Sequence, residues 1–80
     1  MLEELEEKTY TVVSESCNDA FNEAFLRYAG DNGGPMELLE LITANNLGMK
    51  YEVYFSSKIP DSIDSIYTVV MQATSESPEN

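Results

Sequence analysis

Between Cys17 and Tyr28, the residues Cys17, Phe21, Ala24, Phe25 and Tyr28 recur at the spacing of one helical face, with Asn18, Asp19, Asn22 and Glu23 filling the rest. Ser16, followed three residues later by Asp19, has the form of a capping box. A first helix is therefore predicted over 17–28, with Gly30 closing it in a left-handed cap. Leu26 breaks the pattern: at about 100° per residue it points away from the apolar side and into the acids. DNGG, residues 31–34, marks a turn, and Pro35 suits the first position of a second helix, PMELLELITANN. There Leu38, Leu39, Leu41 and Ile42 form a broad apolar side, Glu37 and Glu40 face away, and Asn45, Asn46 and Gly48 stop the helix.

The remaining periodicity is that of strands. TYTVVS, residues 9–14, alternates with Tyr10 and Val12 on one face. MKYEVYF, residues 49–55, places Met49, Tyr51, Val53 and Phe55 inward and Lys50, Glu52 and Tyr54 outward. IYTVVMQA, residues 66–73, sets Tyr67, Val69, Met71 and Ala73 on one side, after the turn-rich SSKIPDSIDS. The predicted order is β-α-α-β-β. This implies an α+β fold with a small, mostly antiparallel three-stranded sheet and two helices packed on one face. Residues 1–8 are an acidic arm or frayed helical turn that Leu2 and Leu5 would have to dock, 9–73 form one domain, and TSESPEN, residues 74–80, is expected to be a disordered tail. The second face of so small a sheet carries Tyr54, Ile66 and Val70, and its edges invite a partner strand or a homodimer.

Charge changes the picture more than composition does. Fifteen Asp and Glu stand against four Lys and Arg, a formal net charge of −11. Such a chain repels nucleic acid and anionic membrane, and its cations, Lys8, Arg27, Lys50 and Lys58, form no run. Direct nucleic-acid binding and membrane association are not expected. No stretch is apolar for long enough to span a bilayer, and the acidic opening MLEELEEK is the reverse of a secretory signal, so a cytoplasmic protein is expected. Cys17 is the single cysteine, which excludes an internal disulfide, and its place on the apolar helical face predicts a packed core thiol.

Candidate chemistry is sparse. Without histidine, nucleophilic systems that use it as base, and the usual zinc sets, are excluded. No acidic stretch follows the calcium-loop pattern, since in a loop that begins at Asp31 the twelfth position is Ile42. Glu6-Glu7-Lys8 matches the E-x-K part of a nuclease site, but no strand acid precedes it. DNGG could present free N–H groups to a phosphate, a role that Asp31 and Glu37 oppose electrostatically. PDSIDSI, residues 60–66, resembles the Asp-Ser-Leu motif of acyl carrier proteins, which implies phosphopantetheine on Ser62. The segment that follows is β-rich where that family has helices. No enzyme, cofactor or metal is expected.

What is left is the acidic surface. Asp19 and Glu23 stand one turn apart, and Glu37 and Glu40, with Glu3, Glu4, Glu6 and Glu7 of the arm, can extend the row. Taken singly these acids have structural uses: Asp19 in the cap, Glu23 in an i,i+4 pair with Arg27, Glu37 and Glu40 near a helix N-terminus. Solubility alone would also account for an acidic chain. Leu26 among acids has the form of an interface anchor, or of a residue that packs on the arm or on a second subunit. In size, acidity and lack of catalytic residues the whole chain resembles the small early proteins by which bacteriophages inhibit host factors, some of which are DNA mimics. The resemblance implies an inhibitor of a host protein with a basic, nucleic-acid-binding surface, with Asp19, Glu23, Leu26, Glu37 and Glu40 as contacts. The other reading is a non-catalytic adaptor or inhibitor of a cell-division or transcription protein, bound through a sheet edge or through Tyr54.

Overall fold

The β-branched run at the start of the domain and the alternating run at its end become neighbours in space. A computed structural model describes residues 2–75. It contains β1 (Lys8–Ser14), α1 (Cys17–Asp31), α2 (Pro35–Asn45), β2 (Gly48–Lys58) and β3 (Ser65–Thr74), an α+β fold of order β-α-α-β-β. The three strands form one antiparallel sheet in the order β1-β3-β2, with Val12 opposite Tyr67 and Val53 opposite Val69. The last strand is thus the central one. Its alternation is strict: Ser65, Tyr67, Val69, Met71 and Ala73 are buried, while Ile66, Thr68, Val70, Gln72 and Thr74 are half-buried on the other face.

α1 lies across all three strands, and α2 packs against α1. Ala20, Ala24 and Ala29 are fully buried, and the small side chains of Ala20 and Ala24 let α1 approach the sheet closely around Tyr28, Val12, Val69 and Met71. Ser16 caps α1, its hydroxyl accepting the Asp19 N–H at 3.2 Å. The helix runs three residues beyond Tyr28. Gly30 lies inside its last turn, and Asn32 caps it, donating its N–H to the Ala29 carbonyl at 3.0 Å and its side-chain amide to the Tyr28 carbonyl at 2.9 Å. The Tyr10 hydroxyl, donating to Asp31 Oδ2 at 2.6 Å, ties that added turn to β1. Asn46, left-handed at φ 55°, ends α2, and the Leu47 N–H returns to the Ile42 carbonyl at 2.9 Å.

β2 continues to Lys58 rather than stopping at Phe55, because after an irregularity at Phe55–Ser57 the chain pairs again, Ser57 with Ile66 and Lys58 with Ser65. The arm is extended, not helical. Leu5 donates its N–H to the Ala73 carbonyl at 2.8 Å, Ser75 donates to Glu3 at 2.7 Å, and Leu5 is buried. The end of β3 extends past β1 and offers backbone partners there, which a helical turn of so few residues cannot outweigh. Thr74 closes β3, and the rest of the expected tail, residues 76–80, lies outside the described residues.

Three expectations about the core are corrected. Cys17 is exposed, because the first residue of α1 projects beyond the edge of the core. Leu39 is 58% exposed: Leu38 takes the buried position of α2, with Leu41 and Ile42 half-buried beside it. Tyr51 and Phe55 lie on the helix side in register with Met71 and Tyr67, yet they are 52% and 60% exposed. α2 leans on α1 and leaves this outer part of β2 open, so the inward positions of an edge strand are only partly covered.

Candidate functional site

The outer face of α1 is set by what its inner face buries. With Ala20, Ala24 and Tyr28 against the sheet, Asp19, Glu23 and Leu26 fall within an arc of about 60° on the opposite side, spread over about 10 Å of helix. Leu26 is 64% exposed, and Asp19 and Glu23 are exposed beside it. Among the described residues, the Asp19 carboxylate makes no reciprocal bond to the Ser16 N–H, so only half of the expected capping box forms. That leaves the carboxylate directed to solvent.

Arg27 is the single cation of α1, and the chain uses it internally. Its Nη2 donates to Glu23 Oε2 at 2.7 Å, the expected i,i+4 pair, while Nη1 donates to the Thr11 carbonyl of β1 at 3.0 Å. Both side chains of the pair are about half exposed, so it is worth only some tenths of a kcal/mol. Its geometric effect is larger. Arg27 is drawn down towards β1 and fixes Glu23 at the border of the arc.

Glu37 and Glu40 are exposed on α2, but they sit in different surroundings. Glu37 folds over the turn, close enough that a Cβ on Gly33 would lie 2.7 Å from its Cγ. Glu40 borders a shallow hollow with Leu39, Thr43 and Ala44. Met36, Leu39 and Thr43, spaced i, i+3 and i+7, thus make a second apolar stripe on the outer side of α2. The signal was present in the sequence as an excess: five large apolar residues between Met36 and Ile42 are more than one stripe can hold.

Tyr54 does not join these residues. Its partner in register is Thr68, on the sheet face turned away from α1, where Val13, Ile66 and Val70 also lie. Tyr54 is 51% exposed and its hydroxyl donates to the Glu52 carboxylate, which raises its pKa above the ordinary tyrosine value. The sheet therefore separates two surfaces, an acidic helical one that ends in Leu26 and a flatter one with Tyr54. Among the described residues no three Asp, Glu or Cys side chains gather as they would to hold a metal ion, and no helix is long and apolar enough to cross a membrane.

Comparison with protein-family models, with characterised proteins and with solved structures finds no match to this chain.

Proposed function

We propose that this protein is a small acidic binding protein, of the kind phages use to inhibit host factors, that docks on the basic, nucleic-acid-binding surface of another protein and blocks it. The observation that carries the reading is the outer face of α1: an exposed Leu26 in one row with Asp19 and Glu23, one turn beyond Glu23, on a chain of net charge −11. A leucine there does nothing for the core, and the buried stripe lies on the other side of the helix. The charges steer a basic partner and set its orientation, while the apolar Leu26 supplies affinity that salt cannot screen. Carboxylates one helical turn apart stand in for backbone phosphates on a Lys- and Arg-lined surface, the element of DNA that such surfaces bind irrespective of base sequence.

Arg27 supplies an internal check. Its charge borders the acidic arc, so Arg27→Gln makes that face more negative and is expected to strengthen a basic partner's binding, most of all at low salt. The principal experiment is capture of bacterial lysate proteins on the immobilised chain, with elution by a salt gradient and, in parallel, by duplex DNA. Release of a nucleic-acid-binding protein by moderate salt and by DNA supports the reading. A partner that resists high salt and ignores DNA overturns it.

A further inference from the structure

The sheet has two edges, and the chain treats them differently. At β1, Arg27 occupies the Thr11 carbonyl and Asp31 holds the Tyr10 hydroxyl, so α1 side chains reach over that strand. Among the described residues no side chain bonds the backbone of β2 from outside the sheet. β2 also departs from the rest of the chain in charge. It carries two of the four cations, Lys50 and Lys58, against the single carboxylate of Glu52. A second copy of a chain at −11 is repelled from the helices and the arm, but at β2 it meets a surface of slight positive charge.

We propose that β2 pairs antiparallel with β2 of a second copy about a two-fold axis at Val53, giving a six-stranded sheet of order β1-β3-β2-β2-β3-β1. The register follows from the side chains. Residues opposite one another in an antiparallel pair share a face, so a two-fold axis passes through a residue and never between two. With the axis at Val53, Tyr51 lies opposite Phe55 of the second copy on the helix side, and Glu52 lies opposite its Tyr54 on the other. Three half-exposed aromatics per chain gain cross-strand partners. The Tyr54 hydroxyl already donates to Glu52 within the strand, and the same two groups meet across the axis. Moving the axis to Glu52 sets that carboxylate against its own copy, and moving it to Tyr54 drives the ladder into the irregularity at Phe55–Ser57. The pairing stands on β2 alone and is independent of what the acids bind. It leaves both helical layers on one side of the joint sheet, so the two Leu26 faces point the same way.

The test is sedimentation equilibrium of the full chain over a wide concentration range, joined to cysteine cross-linking in a Cys17→Ser background. The mass is expected to rise with concentration from 9.0 kDa towards twice that value. Val53→Cys, at the axis, should cross-link to itself under mild oxidation. Glu52→Cys and Tyr54→Cys should each stay uncoupled alone and cross-link when mixed, and these exposed positions also serve if Val53→Cys disturbs the fold. A monomer at every concentration overturns the proposal, as does cross-linking of Val13→Cys in preference to the β2 positions, which would mean that copies stack through the open sheet face.

Discussion

The hydroxyl of Tyr28 takes the place of a strand partner for Ala73. It accepts the Ala73 N–H at 3.0 Å and donates to the Glu6 carbonyl at 3.2 Å, at the point where the extended arm breaks away from β3 before β1 resumes. A helix residue thereby closes a gap in the sheet ladder. The site is fully buried at Tyr28, and burial raises the phenol's pKa against the opposing effect of the Ala73 N–H.

Tyr28→Phe keeps the ring and removes both bonds. Leaving a buried N–H without an acceptor costs about 1–3 kcal/mol. In a domain of this size the melting temperature falls by roughly 4–8 °C for each kcal/mol. Calorimetry measures the drop, and amide exchange should show Ala73 and Leu5 losing protection first.

Leu26→Ala separates binding from folding. With no role in the core, the substitution should change stability by no more than about 0.5 kcal/mol. Loss of the captured partner at unchanged melting temperature is the expected outcome. A lowered melting temperature with binding intact would place Leu26 against another part of the chain and remove it as an anchor.

Neutralising Glu37 and Glu40 together, as Gln, should weaken the partner less than neutralising Asp19 and Glu23, because only the latter share the outer arc of α1 with Leu26. The slope of log affinity against log salt is the measurement. Equal slopes for both pairs would mean that overall charge, and not the α1 face, drives association.

Alkaline pH should act through Tyr10. Burial first, and then the hydrogen bond and charge of Asp31, raise its pKa well above the ordinary tyrosine value of 10.0. The unfolded chain therefore loses this proton before the folded one does. The stabilisation is complete below about pH 10 and declines as pH rises beyond it. Tyr10→Phe should flatten that part of the decline, followed by denaturant midpoints across alkaline pH. An unchanged slope would mean that other tyrosines, Tyr28 foremost, carry the effect.

Gly33→Ala tests the turn that orients α2. Gly33 has φ 97°, and the added Cβ would meet Glu37 at 2.7 Å, near the base of that side chain. The loss should exceed about 1 kcal/mol. Combining it with Glu37→Ala removes the 2.7 Å contact to Cγ but keeps the Cβ at 3.0 Å and the backbone strain, so stability should return only in part.

Local chemistry was legible in advance. Apolar–polar alternation marked three strands, Pro35 and Asn46 bounded α2, Ser16 began α1, and the 3.6-residue period put Leu26 and the acids opposite the core. These are short-range properties: backbone sterics, capping and side-chain spacing act within a few residues. What neighbouring elements do to one another was settled in three dimensions. β3 became the central strand because both other strands found partners along it, and the arm became extended because Leu5 and the backbone of Ala73 were there to receive it. α2 leaned on α1 and not on β2, which turned Leu39, Tyr51 and Phe55 from expected core into exposed surface. Periodicity assigns a face to each side chain, but only packing decides whether anything covers that face, since burial depends on elements distant in the chain.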